Sequence, residues 1–220
     1  MTNMLYIVST PIGNLKDITL RALDILREVD LIACEDTRHT KILLSHYGIK
    51  TPLTSYFEYN KITKGDYLIR FLKEGKDIAL VSDSGTPGIS DPGSHIIKLA
   101  IKNNIPLITV PGPTAFVCGL VLSGKPTNRF AFEGFLPSKP SARKNRLKEL
   151  VSEKRTIIFY ESPHRLLKTL GDIYEIFGDM EIAIIRELTK VFEEQRREKV
   201  SLAIEHFKST KPKGEFVIVI

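Results

Sequence analysis

The chain is poor in the residues and patterns that mark the specialised protein classes. Tryptophan is absent, cysteine occurs twice and methionine three times in 220 residues. Cys34 and Cys118 each lie in an apolar run with no CxxC spacing and no histidine-rich neighbour, so both read as buried free thiols of a reducing compartment. Neither a disulfide framework nor a metal site is expected. Long apolar runs are missing too: the longest, around Phe116 to Leu122, is far shorter than the roughly 20 residues that a membrane-spanning helix needs. The first residues read as a strand and not as a basic segment followed by an apolar one, which leaves no sign of a secretory leader. A cytoplasmic protein with no membrane association is expected. GxGxxG, GxxxxGK[ST], HExxH and GxSxG do not occur, which argues against the common dinucleotide, P-loop, zincin and α/β-hydrolase chemistries.

What is present is ordinary in amount and unusual in arrangement. Apolar residues make up 42% and charged residues 26% of the chain, enough for a real core and too balanced for disorder. The net charge of +6 favours a polyanionic partner, although charge alone is weak evidence. The organising stretch runs from Val81 to Gly93. A strand-like segment, Asp77–Val81, delivers the backbone into a loop containing Gly85, Gly88, Gly93, Pro87 and Pro92, and a helix-like segment begins near Ser94. Glycine permits close approach to a ligand, while each proline fixes φ and removes an amide donor, so the loop is shaped and not slack. In open α/β sheets, ligands sit beyond the carboxyl ends of the strands, where this loop lies. The plainer alternative is an elaborate connection with no ligand.

The same grammar repeats along the chain. Leu5–Val8 is a continuous apolar run, as expected of a buried parallel strand, and is followed by a polar loop to Asn14. A helix with Asp17 as N-cap follows to Arg27. Leu31–Cys34, the weak run Pro52–Ser55, the segment ending at Val81 and Pro106–Val110 read as further strands, separated by helical segments. Such alternation predicts a mainly parallel α/β domain over 1–122. Ser123–Asn128 is the most linker-like hexapeptide and marks the predicted boundary, with a smaller α/β domain over 129–220. There the strands are expected at Thr156–Tyr160, Glu181–Ile185, Val191–Arg197 and Gly214–Ile220. Between Pro137 and Lys148 stand Lys139, Arg143, Lys144, Arg146 and Lys148 with no acidic residue, so their charges read as available to phosphate, or as a solvated helix face.

Polar residues collect after the strands, at 9–14, 35–39, 82–90, 111–114, 161–165 and 186–190. A parallel arrangement brings such segments to one edge of each sheet, and two such edges make a cleft. Glu35, Asp36, His39 and Glu161 are the groups there able to accept a proton. Each has a plainer role open to it: Asp36 or Thr37 as a helix cap, His39 as a surface group, Glu161 and Glu187 as structural ion-pair members.

Eight segments in fixed order carry a resemblance. Ser-Thr-Pro-Ile-Gly-Asn-Leu-x-Asp-Ile-Thr at 9–19, Glu-Asp-Thr-Arg-His-Thr at 35–40 and Ser-Gly-Thr-Pro-Gly-Ile-Ser-Asp-Pro-Gly at 84–93 are the first three. Val-Pro-Gly-Pro at 110–113, Phe-Glu-Gly-Phe-Leu-Pro at 132–137, Phe-Tyr-Glu-Ser-Pro-His-Arg at 159–165, Arg-Glu-Leu-Thr-Lys at 186–190 and Lys-Gly-Glu at 213–215 complete them. Together they resemble the tetrapyrrole methylase superfamily, and within it the branch that 2′-O-methylates a cytidine in small-subunit ribosomal RNA. The resemblance implies two α/β domains of the tetrapyrrole methylase type, S-adenosylmethionine in an interdomain cofactor cleft, a homodimer, and ribosomal RNA or the assembled small subunit as partner near its decoding region. It further implies cofactor contacts from Pro11, from Asp83, Ser84, Gly85, Thr86, Pro87, Ile89 and Ser90, from Thr114 and Ala115, and from Tyr160, Leu188 and Glu215. RNA contacts are expected from Arg38, Lys41, Arg143, Lys144, Arg146 and Arg165. Phe57–Lys61 departs from the family's His-Glu-His-Asn-Glu pattern, keeping only Glu58 and Asn60, and Ser84 replaces a usual Ala. A small-molecule methylase of the same superfamily and a non-catalytic ribosome-assembly factor are the rival readings.

Overall fold

The computed structural model describes residues 3–91 and 93–220, so Pro92 of the organising loop lies outside the described residues. The chain divides into two compact units, Met1–Thr114 and Ala115–Ile220.

In the first unit, β1 (Leu5–Val8), β2 (Leu31–Cys34), β3 (Leu53–Ser55), β4 (Ile78–Leu80) and β5 (Leu107–Val110) form one sheet in the order β3-β2-β4-β1-β5. Every pairing in it is parallel. Side chains alternate between two cores, as a strand's period of two requires. Leu5, Ile7, Leu31, Ala33, Ile78 and Leu80 pack with α3 (Lys61–Lys73) and α4 (Gly93–Lys102). Val8, Ile32, Cys34, Ala79 and Val81 pack with α1 (Leu20–Glu28) and α2 (Thr37–His46). Burial on both faces accounts for the apolar continuity of these strands. The cap of α1 is Thr19, whose hydroxyl accepts from Ala22 N, and not the expected Asp17. Asp17 instead belongs to a short 3-10 turn, Leu15–Asp17, that precedes the helix.

The second unit begins with α5 (Ala115–Ser123), which the sequence pattern assigned to the first domain. Its position follows from packing. Gly119 lies so close to Val217 that a Cβ there would collide with the valine side chain, so α5 covers one face of the second sheet. That sheet comprises β6 (Phe130–Phe135), β7 (Thr156–Glu161), β8 (Glu181–Arg186), β9 (Glu194–Lys199) and β10 (Phe216–Val219), in the order β6-β7-β10-β8-β9. Its other face is covered by α6 (Pro140–Leu150), α7 (Leu166–Phe177) and α8 (Val200–Ser209), through Leu147, Leu170, Ile173, Ala203 and Phe207.

This sheet is mixed, against the parallel expectation: β6 pairs parallel with β7, while β10 runs antiparallel to both β7 and β8. β7 and β8 therefore run the same way, and the 161–165 and 186–190 segments still emerge at one edge, where β10 begins. β9 starts three residues later than the pattern suggested. Val191 and Phe192 are solvent-exposed in a turn, and the strand's alternation is carried by charge, with Glu194, Arg196 and Glu198 half-buried and paired to one another. A hydrophobic reading was bound to place it too early.

Candidate functional site

At the carboxyl edge of the first sheet, the loops after β1, β4 and β5 are bonded to one another. Thr10 N donates to Gly85 O at 2.9 Å and Gly85 N to Thr10 O at 3.1 Å, an isolated bridge that fastens the organising loop to the end of β1. The Thr10 hydroxyl donates to Ser82 O, and the Ser82 hydroxyl to Gly85 O. Gly85 has φ +79°, a conformation that L side chains rarely adopt. A row of hydroxyls then runs across all three loops: Ser9 Oγ to Thr86 Oγ1 at 2.9 Å, and Thr86 Oγ1 to Thr114 Oγ1 at 2.9 Å. Pro11 and Pro87 are buried beneath, and Ser84, Ile89 and Ser90 are exposed at the rim. Of the cofactor residues expected in this unit, the structure thus brings Thr86 and Thr114 into direct contact and ties Gly85 to the strand beside Pro11.

Asp83 and Asp91 of this loop lie near Glu35 and Asp36, and three of these carboxyl groups are shifted in different directions. Asp36 caps α2 by accepting from Arg38 N, and grips the Arg38 guanidinium through both oxygens at 3.1 and 2.7 Å. Those bonds hold its carboxyl well down, at about 2. Its own N–H donates to Asp83 Oδ1 at 3.0 Å. Half-buried Glu35 goes the other way, pushed up first by burial and then by Asp83 and Asp36. Asp91 is moved furthest, up to about 7, by burial and then by the like charges of Glu35 and Asp83. Sequence reasoning passed over Asp91, although it closes the organising loop; its signal was an acid within the Gly/Pro-rich run, not a match to a catalytic pattern. Burial pushes the Cys34 thiol up to about 11, which leaves it a core residue.

His39, Arg38 and Lys41 lie exposed on α2. In the altered 57–61 segment, Asn60 closes a turn, accepting from Phe57 N and donating to Ser55 O, and Glu58 pairs with Lys61. The two residues kept from the family pattern are therefore engaged in local structure.

In the second unit, Glu161 is 2% exposed and its oxygens are occupied: Oε1 accepts from Ser162 N at 2.7 Å and Oε2 from the Thr169 hydroxyl at 2.5 Å. Arg165 Nε lies 3.3 Å from Oε1. Glu161 is a buttress tying the end of β7 to α7, not an open proton acceptor. Its neighbour Tyr160 uses its hydroxyl to accept from Phe116 N at the start of α5. Across the edge, Glu187 and Thr189 hold positive φ of 50° and 64° around the buried Leu188. A clamp holds this turn: Lys190 Nζ donates to Glu187 Oε1 at 2.8 Å and to Glu215 Oε2 at 2.9 Å, and Glu215 N donates to Glu187 Oε1 at 3.0 Å. Non-glycine residues in this region are strained, and such strain collects at functional sites. Among the described residues, no group of three or more His, Cys, Asp or Glu is placed to hold a metal ion.

The basic cluster corrects an expectation. Three of its five charges, Arg143, Lys144 and Arg146, are not free, because acids from outside the segment reach them. Arg143 is buried and donates from Nε to Asp172 Oδ2 at 2.6 Å; Lys144 meets Glu175 at 2.5 Å; Arg146 forks onto Glu133 at 2.8 and 2.9 Å and also meets Glu149. A run without acids in sequence is not a run without acids in space. Arg143→Ala leaves Asp172 largely buried and short of its partner, and is expected to cost about 3 kcal/mol of stability. Calorimetry should show the lower midpoint.

The sequence model of the Tetrapyrrole (Corrin/Porphyrin) Methylases matches residues 4–203. A curated relative from Thermotoga maritima, named Ribosomal RNA small subunit methyltransferase I, is 51% identical over 98% of this chain and 97% of its own length. One of the same name from Synechocystis sp. is 49% identical over 99% of this chain and 78% of its own length. Among solved structures, a cobalt precorrin-4 methyltransferase superposes with a TM-score of 0.74 at 17% identity, covering 99% of this chain and 94% of that one, which speaks to the fold alone.

Proposed function

The chain belongs to the tetrapyrrole (corrin/porphyrin) methylases, and from that premise we propose that it transfers the methyl group of S-adenosylmethionine to the ribose 2′-oxygen of a cytidine in small-subunit ribosomal RNA. The observation that carries the reading is half-identity, over nearly the whole of both chains, to a protein named for that RNA. The small-molecule alternative rests on fold likeness at far lower identity.

The residues at the first sheet's edge suit the cofactor. The Gly85 backbone, free of a Cβ, permits contact at van der Waals distance, and the Ser9, Thr86 and Thr114 hydroxyls set the positions of the three loops around it. In the first unit Asp83–Ser90 and Thr114 are the residues proposed to hold the cofactor; in the second they are Ala115, Tyr160, Leu188 and Glu215. When bound, S-adenosylmethionine supplies an electrophilic methyl group on sulfur. The chain's own task is to position the ribose oxygen in line and to take its proton. Asp36, held at about 2, is a poor base, and Glu161 is engaged within its unit. Asp91 and Glu35 are the carboxyl groups whose affinity for a proton is raised toward working pH, and Asp91 is the stronger candidate.

For RNA capture, Arg143, Lys144 and Arg146 are paired with acids, as Arg38 is with Asp36 and Arg165 with Glu161, which shifts the expectation to exposed lysines such as Lys41. The second unit carries most of the positive charge, with 19 Lys and Arg against 14 Asp and Glu in 115–220, compared with 13 against 12 in 1–114. A cytoplasmic homodimer is part of the same reading, and light scattering at micromolar concentration should give twice the chain mass of 24.8 kDa. The function itself is tested by incubating the protein with labelled S-adenosylmethionine and undermethylated small ribosomal subunits and mapping the product. Label in a cytidine ribose is expected; label elsewhere, or none, overturns the proposal.

A further inference from the structure

We propose that Phe135 is a stacking platform for an unpaired nucleobase of the RNA substrate; this rests on the reading of that substrate as RNA. The backbone shows why the ring is where it is. β6, the edge strand of its sheet, pairs with β7 in register from Phe130 to Phe132, and the register then slips so that Gly134, not Glu133, stands opposite Phe159. Gly134 takes φ +62° at this bulge. In a regular strand, residues three apart point to opposite faces. The extra residue cancels that, so Phe132 and Phe135 both turn toward Tyr160, at centroid distances of 4.9 and 5.6 Å and interplanar angles of 71° and 60°. Bulges are used beside active sites to re-aim a side chain in this way.

The two rings have different fates. Phe132 stacks on Phe116 at 4.4 Å and is half-buried, which anchors the row from within. Phe135 ends the row and is 54% exposed. An aromatic ring held edge-on by a neighbour and open on the other side offers a rigid π face with little conformational freedom left to lose.

Charge decides among occupants. Arg165 donates through Nη2 to Leu136 O at 2.6 Å and reaches Pro137 O at 3.4 Å, which fixes a guanidinium, shared with the buried Glu161 carboxylate, against the backbone immediately after Phe135. Lys139 is exposed two residues further on, within a unit of net positive charge. An open aromatic face with cations alongside is how proteins hold unstacked bases, the ring taking the base and the cations the phosphates.

The test uses the full chain with undermethylated small ribosomal subunits as substrate. Phe135→Ala is expected to raise KM for the subunits by between about 5- and 150-fold, the range for loss of one base–aromatic stack. Affinity for S-adenosylmethionine, read by calorimetry, should be unchanged. Phe135→Trp should restore KM and Phe135→Leu should not, because leucine keeps apolar bulk without a π face. A KM within twofold of wild type for Phe135→Ala, or full rescue by leucine, overturns the platform. So does loss of the dimer in Phe135→Ala, which assigns the ring to contact between copies. If the wild type methylates no small subunits at all while still binding S-adenosylmethionine, the RNA reading itself fails, and the platform with it.

Discussion

Gly85→Val abolishes S-adenosylmethionine binding in calorimetry, with affinity reduced by at least about 100-fold, while the circular dichroism spectrum stays that of the wild type. The expectation follows from two properties of one residue. Its φ of +79° is strained for any L side chain and most of all for a β-branched one. Its missing Cβ would also stand 3.5 Å from Ile12 Cγ2 and 3.6 Å from Pro113 O, so an alanine methyl fits at contact distance while the two further methyls of valine have to go into the space beside the loop. The strain costs on the order of 1–3 kcal/mol, below the 5–15 kcal/mol that typically stabilises a fold, so the protein survives while the loop path does not. Gly85→Ala should then give an intermediate loss, because it adds strain without bulk. Unchanged affinity in the valine variant would sink the assignment of the 83–90 loop to the cofactor.

Asp91→Asn lowers kcat by about 10²- to 10⁴-fold at pH 8, the usual contribution of a positioned proton acceptor. It also makes the protein more stable at that pH. The second effect follows from linkage. Asp91 moves from its ordinary 3.8 to about 7 in the folded protein, so between those values the folded state binds more protons than the unfolded one. Stability contributed by this group therefore falls as pH rises through about 4 to 7, and above 7 the folded chain carries a half-buried carboxylate beside Glu35 and Asp83 at a cost. An amide removes that cost together with the base. The wild-type kcat should climb with pH through about 7, and the variant should lose that limb. Retained kcat, or a retained limb, removes Asp91 from the role; if Glu35→Gln carries the loss instead, Glu35 is the acceptor.

The first unit was legible in the sequence because its central strands β1, β2 and β4 are buried on both faces, and runs such as Leu5–Val8 and Leu31–Cys34 announce themselves as apolar throughout. The second unit was legible where the same condition holds, at Thr156–Tyr160, Glu181–Ile185 and the terminal run Gly214–Ile220. β9 was placed three residues early because its alternation is between half-buried, mutually paired charges and exposed polar residues, which a hydrophobic period does not register. α5 was assigned to the wrong unit because an apolar helix states that it is covered without stating by what. The candidate site divides along a similar line. Local consequences, such as Asp36 as a cap and the loop built around Gly85, could be read from neighbours in sequence. Long-range pairing could not: Asp172 and Glu133 neutralise the 143–146 cluster from 29 and 13 residues away, and the raised proton affinity of Asp91 depends on Glu35, contributed by another strand.

The position of β10 bears on how the protein is made. Strand by strand, the first sheet is complete once residue 110 has been synthesised, whereas the second has its latest strand at its centre, between β7 and β8. Until residues 216–219 leave the ribosome, both of those strands present an open hydrogen-bonding edge, and Ile158, Phe159, Ala183 and Ile184 lack the partners that bury them. Pairings across such long separations in sequence form slowly, and unpaired apolar edges invite association with other chains. The nascent protein therefore passes through a stage in which the strands of one sheet are all present and the other sheet has a gap at its centre. A frameshift or stop codon just before residue 216 would leave the protein in that state for good.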